Sequence, residues 1–144
     1  MKEECMDGGY AYKIHRKFGE KASIIGAGAM RNFLRDYQAG AKSNLVGLGS
    51  FFPKVEIDFH EALKNNNLSL AKKIVQTYED EYFDFAVELG WHTQLKASMN
   101  YFGLLPKHER SPLMELSVEK KERLIEFFDK KGWSNLSANH ESKL

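Results

Sequence analysis

A glycine pair early in the chain is one candidate for ligand chemistry. Ile24-Ile25-Gly26-Ala27-Gly28 runs into an apolar helical pattern, the order of strand, tight turn and helix that can bind a dinucleotide. That motif needs a third glycine three residues later, where Arg31 stands, and an acid after the next strand, where Ser50-Phe51-Phe52 stands. Dinucleotide binding is therefore the less favoured hypothesis, and we expect the glycines to serve a tight turn.

Residues that could bind metals or do redox chemistry follow no local pattern. No histidine is paired with another histidine, a cysteine or a carboxylate at a metal-ligand spacing, so we expect solvated or capping roles for His15, His60, His92, His108 and His140. Cys5 is the single cysteine, which excludes an internal disulfide and is typical of a reducing compartment. A charge run along one helix predicts a solvated face: Asp80, Glu81, Asp84 and Glu88. The sequence predicts no metal and no cofactor.

Glycines and apolar spacing divide the chain into two parts. Up to Pro53 they predict helix, strand, helix and strand, with the strands over 22–26 and 44–50, an order typical of a parallel α/β sheet. After Pro53 the spacing is helical throughout, with one unbroken stripe over 68–89. The last predicted helix has Ser117 as its N-cap and Gly132 as its end, and its predicted buried face is Val118, Leu124, Ile125 and Phe128.

Composition limits the class of protein. The 144 residues include 21 Lys plus Arg against 20 Asp plus Glu, a net charge of +1, which argues against a general nucleic-acid or membrane-surface binder. The length suits a domain with a real core, and there is no apolar run long enough for a transmembrane helix. The N-terminal segment has no apolar signal-peptide region. We therefore expect a soluble, cytoplasmic protein without nucleic-acid or membrane partners.

Several short motifs, taken in their order, carry a resemblance to a known family. They are Lys2-Glu3-Glu4, Ile24-Ile25-Gly26-Ala27-Gly28, Ala39-Gly40-Ala41-Lys42-Ser43-Asn44-Leu45, Phe51-Phe52-Pro53, Gln94-Leu95-Lys96-Ala97 with Gly103-Leu104, and Arg110-Ser111-Pro112-Leu113. In this order and spacing the sequence resembles the dihydrodipicolinate synthase and N-acetylneuraminate lyase family, from Lys2 to about Trp133. That family folds as a (β/α)₈ barrel followed by C-terminal helices.

The resemblance implies an α/β chain that corresponds to the C-terminal portion of such a barrel, strands six to eight, because a whole barrel needs about 250 residues. It implies a partial barrel over 1–64 and a helical extension over 65–133, while the polar composition of 134–144 predicts a disordered tail. The family's strand-two Gly-Thr-Thr-Gly-Glu loop and strand-five tyrosine have no match, so we expect the chain to be inactive alone. We also expect it to associate with the missing N-terminal half or with further copies of itself.

The chemistry implied by the resemblance is that of class I aldolases. A lysine amine forms a Schiff base with the keto carbon of pyruvate or a related 2-keto acid, and the iminium then stabilises a carbanion at the neighbouring carbon as an enamine. By position Lys2 matches this lysine, while Gly28 and Leu45 match residues at the tops of strands seven and eight whose backbone lines the substrate pocket. The resemblance thus implies a lyase or aldolase without metal or cofactor. A non-enzymatic remnant or interaction module is the alternative.

Overall fold

Three short strands alternate with helices, and helices alone follow, in the computed structural model, which describes residues 1–5, 7–26 and 28–135. The first elements are β1 (Lys2–Glu3), α1 (Gly8–Phe18), β2 (Ile25–Gly26), α2 (Met30–Gln38) and β3 (Ser43–Asn44). A 3₁₀ turn at Leu48–Ser50 leads to α3 (Pro53–Lys64) and α4 (Leu68–Ile74). A π-helical segment at Val75–Glu79 joins α4 to α5 (Asp80–Leu89), and α6 (Trp91–Tyr101), α7 (Val118–Lys131) and a 3₁₀ turn at Trp133–Asn135 complete the described chain.

The strands form one parallel sheet in the order β1-β2-β3, as the alternating pattern predicts. Pairing sets two rows of residues side by side across the sheet. Successive strand residues point to opposite faces, so each row defines one face. We call these the open face (Lys2, Ile25 and Ser43) and the helix face (Glu3, Gly26 and Asn44).

Helix α2 covers the helix face. A Cβ built on Gly26 would lie 3.2 Å from the ring of Phe33 and 3.4 Å from Oδ2 of Asp36, so only glycine lets the helix approach this closely. Phe33 is fully buried, and its ring centroid lies 6.3 Å from that of Phe59 on α3. The core of the first part of the chain therefore lies between this face of the sheet and the helices that follow it.

Local signals place several helix ends. Asp7 caps α1 by accepting hydrogen bonds from the N–H groups of Gly9 (2.8 Å) and Tyr10 (3.2 Å). Ser117 accepts a hydrogen bond from the N–H of Lys120 at the start of α7, as predicted. Gly132 ends α7 in the left-handed conformation with φ of 67°, also as predicted.

By packing, the chain divides into two units, Met1–Phe83 and Asp84–Leu144. The core of the second is aromatic: the ring of Phe128, fully buried, lies 5.0 Å from Tyr101, 5.1 Å from Phe102 and 5.9 Å from Trp133 between centroids. The predicted domain boundaries at 64 and 133 stay predictions. Of the predicted tail, residues 136–144 lie outside the described residues, and residues 134 and 135 belong to the last 3₁₀ turn.

Four expectations about elements were wrong in detail. The strand predicted over 22–26 covers only Ile25–Gly26, because Ala22 and Ser23 are exposed residues that lie ahead of the paired region. The second strand covers Ser43–Asn44 rather than 44–50, because the chain leaves the sheet after Leu45 and turns at Gly47 into the 3₁₀ turn that buries Leu48. The stripe over 68–89 is interrupted by the π-helical segment. On α7 the residues Val118 and Ile125 are exposed, by 72% and 42%, because the buried strip of this helix is narrow and consists of Leu124 and Phe128.

Within the described ranges, none of the helices combines the length and apolar character that a membrane crossing requires.

Candidate active site

Lys2, the predicted Schiff-base lysine, lies in β1 on the open face. Its pairing partner across β2 is Ile25, which in turn pairs with Ser43 on β3. The side chain of Lys2 is 48% exposed, and its Nζ lies 2.7 Å from Oε2 of Glu4. An exposed ion pair of this kind contributes little to stability, so the Lys2 amine can leave Glu4 for another interaction.

Gly28 and Leu45 lie just past the carboxyl ends of the two neighbouring strands. Gly28 follows β2 by two residues and has φ of 100°, a conformation that favours glycine. Leu45 directly follows β3, is 51% exposed, and donates its N–H to the carbonyl oxygen of Gly26 at 2.8 Å. The structure therefore brings all three predicted site residues to the same end of one sheet, within two residues of the ends of three adjacent strands.

The open face differs from the helix face in its accessibility. Lys2 and Ser43 are exposed and Ile25 is half-buried, whereas Glu3 and Gly26 on the helix face are buried. Parallel sheets are as a rule covered on both faces. In the described part of the chain, the open face is thus a polar, accessible surface with a lysine on it.

A buried carboxylate stands at the beginning of α2, immediately after Gly28. Ala29 precedes this helix and has no side chain that can cap it. Instead, Oε1 of Glu79 accepts a hydrogen bond from the N–H of Met30 (2.6 Å) and Oε2 accepts one from the N–H of Arg31 (2.7 Å). Burial raises the pKa of Glu79, and these two hydrogen bonds oppose that effect.

A second buried carboxylate belongs to Glu56 on α3. The residue is 6% exposed, and within the described residues neither carboxylate oxygen makes a hydrogen bond of normal geometry, although the nearby backbone N–H of Gly49 opposes the rise in pKa. Burial, and next the negative charge of Glu79, raise the pKa of Glu56 to about 8. At neutral pH this side chain is a neutral carboxylic acid that can donate a proton. Sequence reasoning missed both residues, because neither belongs to a recognisable motif.

Two histidines differ from the solvated or capping roles expected of them. His15 on α1 is buried, and its Nε2 has no hydrogen-bond partner in the part of the chain that the structure describes. His60 on α3 is half-buried, with its Nε2 2.7 Å from Oδ1 of Asn44, and burial lowers its pKa. The exposed histidines agree with the expectation: His92 and His108. His140 lies outside the described residues.

The charge run on α5 behaves as predicted. Asp80 lies 3.7 Å from Nη1 of Arg31 with its side chain 41% exposed, and Glu88 pairs with Arg123 at 2.6 Å with its side chain 58% exposed. Glu81 and Asp84 are exposed as well. This face of α5 is therefore a charged, accessible surface with ion pairs.

Solved structures share this fold. Dihydrodipicolinate synthase from Aquifex aeolicus superposes with a TM-score of 0.80 at 21% identity, covering 91% of this chain and 44% of that one. N-acetylneuraminate lyase from Proteus mirabilis gives a TM-score of 0.77 at 18% identity, covering 91% and 44%. A prophage protein of the dihydrodipicolinic acid synthase family from E. coli K12, in complex with pyruvate, gives 0.76 at 16% identity, covering 91% and 45%.

These matches define the fold: an α/β chain, mostly helical with a small parallel sheet, that corresponds to part of a dihydrodipicolinate synthase-like barrel. The resemblance noted in the sequence is confirmed at this level. The chain spans about 44% of the length of the structures it matches. The sequence matches no family model and none of the curated proteins.

Proposed function

We propose that this chain is the C-terminal half of a Schiff-base lyase or aldolase that acts on pyruvate or a related 2-keto acid. Its strands β1 to β3 would then be strands six to eight of the barrel. The observation that carries the proposal is the placement of Lys2 on the open face of a parallel sheet, with Gly28 and Leu45 at the adjacent strand ends. Active sites of (β/α)₈ barrels lie at this end of the strands.

Lys2 would be the nucleophile. Its uncharged amine adds to the keto carbon, and loss of water gives an iminium that accepts the electron pair released when a bond at the neighbouring carbon breaks. The backbone at Gly28 and Leu45 would line the pocket that holds the acid. The reaction needs the amine uncharged, which a covered site poor in water favours. On the chain alone Lys2 is half exposed and paired with Glu4, which supports the expectation that the chain is inactive alone.

The proposed partner is the rest of the barrel, supplied by another polypeptide segment or by further copies of the chain. Two features support it. Within the described residues β1 and β3 are the edge strands of the sheet, and such edges are sites for further strand pairing. The open face is accessible where a parallel sheet is ordinarily covered. We retain a cytoplasmic location as part of the proposal, on the basis of the single cysteine.

Dinucleotide binding has less support. A phosphate bound after a strand uses the free N–H groups at the start of the next helix. At α2 the N–H groups of Met30 and Arg31 already donate to Glu79, whose carboxylate would also repel a phosphate. Glu79 therefore argues against the nucleotide hypothesis.

Borohydride trapping tests the proposal. The chain is incubated with pyruvate and sodium borohydride, alone and together with the N-terminal half of the Aquifex aeolicus synthase as the proposed complement. The adducts are located by peptide mapping. We expect one adduct on Lys2 in the completed sample. The variant Lys2→Arg should lose it, whereas Lys21→Arg, an exposed control, should keep it.

Mapping must separate Lys2 from the α-amine of Met1, which lies one residue away and donates to the carbonyl oxygen of Ser23 at 2.6 Å. An adduct on Met1 or on several lysines alike would show unselective chemistry and contradict the catalytic role. Absence of an adduct in both samples, with pairing of the two halves verified by gel filtration, would favour a non-enzymatic remnant or interaction module instead.

A further inference from the structure

Three buried polar side chains converge under the helix face, apart from the proposed active site. Glu3 comes from β1, His15 from α1 and Asp36 from α2, and they are only 7%, 5% and 1% exposed. One ligand atom from each lies within 4.8 Å of those of the other two. Side chains from three separate elements thus place one imidazole and two carboxylates around a common point.

Two buried polar atoms of this cluster lack the hydrogen-bond partner that buried polar atoms ordinarily have. Among residues 1–5, 7–26 and 28–135, Oε2 of Glu3 and Nε2 of His15 have no hydrogen-bond partner, although both residues are more than nine-tenths buried. An unsatisfied buried polar atom costs about 1–3 kcal/mol, and more when it is charged. The other oxygen of Glu3 accepts from the N–H of Cys5 at 2.5 Å, and Oδ1 of Asp36 accepts from Nε of Arg35 at 2.7 Å. Each carboxylate is therefore fixed through one oxygen.

From this arrangement we infer that Glu3, His15 and Asp36 form a structural binding site for a divalent first-row transition metal, of which Zn²⁺ is the probe of choice. A neutral imidazole with carboxylate oxygens suits Zn²⁺, while Mg²⁺ and Ca²⁺ prefer oxygen alone. Of the two carboxylates, Asp36 is already ion-paired with Arg35, so the two carboxylates and Arg35 together carry one net negative charge toward the ion. The ion would satisfy both unpartnered atoms at once.

The spacing needs only a local adjustment. Ligands at about 2.0–2.2 Å from a tetrahedral Zn²⁺ lie about 3.4 Å from one another. The separations of up to 4.8 Å would close through side-chain rotations about a site whose backbone the sheet and two helices already fix. Three protein ligands leave one coordination position for water.

The role of such an ion follows from what it joins. Strand β1 has two residues, Lys2 and Glu3, pairs with β2 alone, and lies at the edge of the sheet in the described part of the chain. A metal bound by Glu3 would tie β1 to α1 and α2 and would bind as these elements fold. The site uses the helix face, whereas Lys2 lies on the open face, so this inference does not depend on the proposed lyase activity.

The test uses the full chain, with any affinity tag removed, stripped with a chelator and then given ZnCl₂, CoCl₂ or MgCl₂. We expect one Zn²⁺ per chain retained through gel filtration, and a melting temperature raised by roughly 5–10 °C at free Zn²⁺ about a hundredfold above its Kd. Mg²⁺ should have no such effect. Co²⁺ should give visible absorption bands of a low-symmetry site.

Variants then assign the ligands. His15→Gln and Asp36→Asn should each weaken Zn²⁺ binding at least about tenfold. The exposed His92→Gln and the thiol variant Cys5→Ser should bind as the unmodified chain does. Failure to retain stoichiometric Zn²⁺, equal stabilisation by Mg²⁺, or unchanged binding by His15→Gln would overturn the site.

If the ligand variants do not fold, as judged by circular dichroism, the site is tested by NMR on the unmodified chain. Zn²⁺ should then shift the ring nitrogen resonances of one histidine in ¹H–¹⁵N spectra, and that histidine should be the slowly exchanging, buried one. Histidine resonances that do not respond to stoichiometric Zn²⁺ would refute the proposal. Trapping of pyruvate at Lys2 is a separate readout, so failure of one proposal is distinguishable from failure of the other.

Discussion

Replacing Glu56 by glutamine should remove a large dependence of stability on pH. The folded chain raises the pKa of this carboxyl from an ordinary 4.5 to about 8, because the group is buried and faces the charge of Glu79. Below pH 4.5 the acid is protonated in both the folded and the unfolded chain. Between 4.5 and 8 only the folded chain holds the proton, so stability falls as the pH rises through this window.

The magnitude follows from the shift. One pKa unit corresponds to about 1.36 kcal/mol, so the difference between 4.5 and about 8 amounts to roughly 5 kcal/mol of unfolding free energy lost by the alkaline end. Glu56 is 6% exposed, and solvent screens it little. The Glu56→Gln amide has nearly the same size and does not titrate. It should match the unmodified chain near pH 5 and exceed its stability by up to about 5 kcal/mol at pH 8.5.

Urea unfolding followed by circular dichroism at pH 5, 6.5 and 8.5 measures this difference. The control is Glu61→Gln on the same helix, an exposed position where the pH profile should stay that of the unmodified chain. Profiles of Glu56→Gln and the unmodified chain that run parallel from pH 5 to 8.5 would refute the reasoning. An unfolding free energy that rises from pH 5 to 8.5 in the unmodified chain but not in Glu56→Gln would refute it as well.

Three further substitutions test the candidate active site and the packing of the second unit. Gly28→Ala should lower the unfolding free energy by about 1–3 kcal/mol, because φ is 100° and the new Cβ would lie 2.8 Å from Nδ2 of Asn32. Adding Asn32→Ala should recover only the loss caused by this close contact. Full recovery of the unfolding free energy, measured in urea, would disprove backbone strain at Gly28. Phe128→Ala should cost about 3–5 kcal/mol in the unfolding free energy, since the ring is fully buried among aromatic side chains. Val118→Ala, at 72% exposure, should stay within about 0.5 kcal/mol, and a larger loss would mean that the sequence-based assignment of Val118 to the core was right.

Helix ends and the parallel order could be predicted from the sequence because their causes are local. Ser117 and Gly132 act on N–H and carbonyl groups within a few residues of themselves, so their effect does not depend on the rest of the fold. The alternation of apolar runs and helical stripes likewise predicted the parallel sheet. The exposure of Val118 and Ile125 was not predictable in this way, since it depends on how wide a strip of α7 the aromatic cluster covers.

For the candidate active site, the motif order supplied the residues and the structure supplied their arrangement. The resemblance pointed to Lys2, Gly28 and Leu45, and pairing of the strands brings these distant positions to one end of a sheet. Whether they act together on a keto acid stays a prediction.

By itself the sequence determined what acts over short distances: helix caps, turn glycines, apolar stripes and the order of motifs along the chain. Only the tertiary structure decided the rest, which acts across long separations. Glu79 caps α2 across 49 residues, and its charge adds to the effect of burial in raising the pKa of Glu56. Glu3, His15 and Asp36 meet because β1, α1 and α2 pack together. The physical reason is that burial and charge proximity depend on distance in space, which spacing along the chain specifies only within a single element.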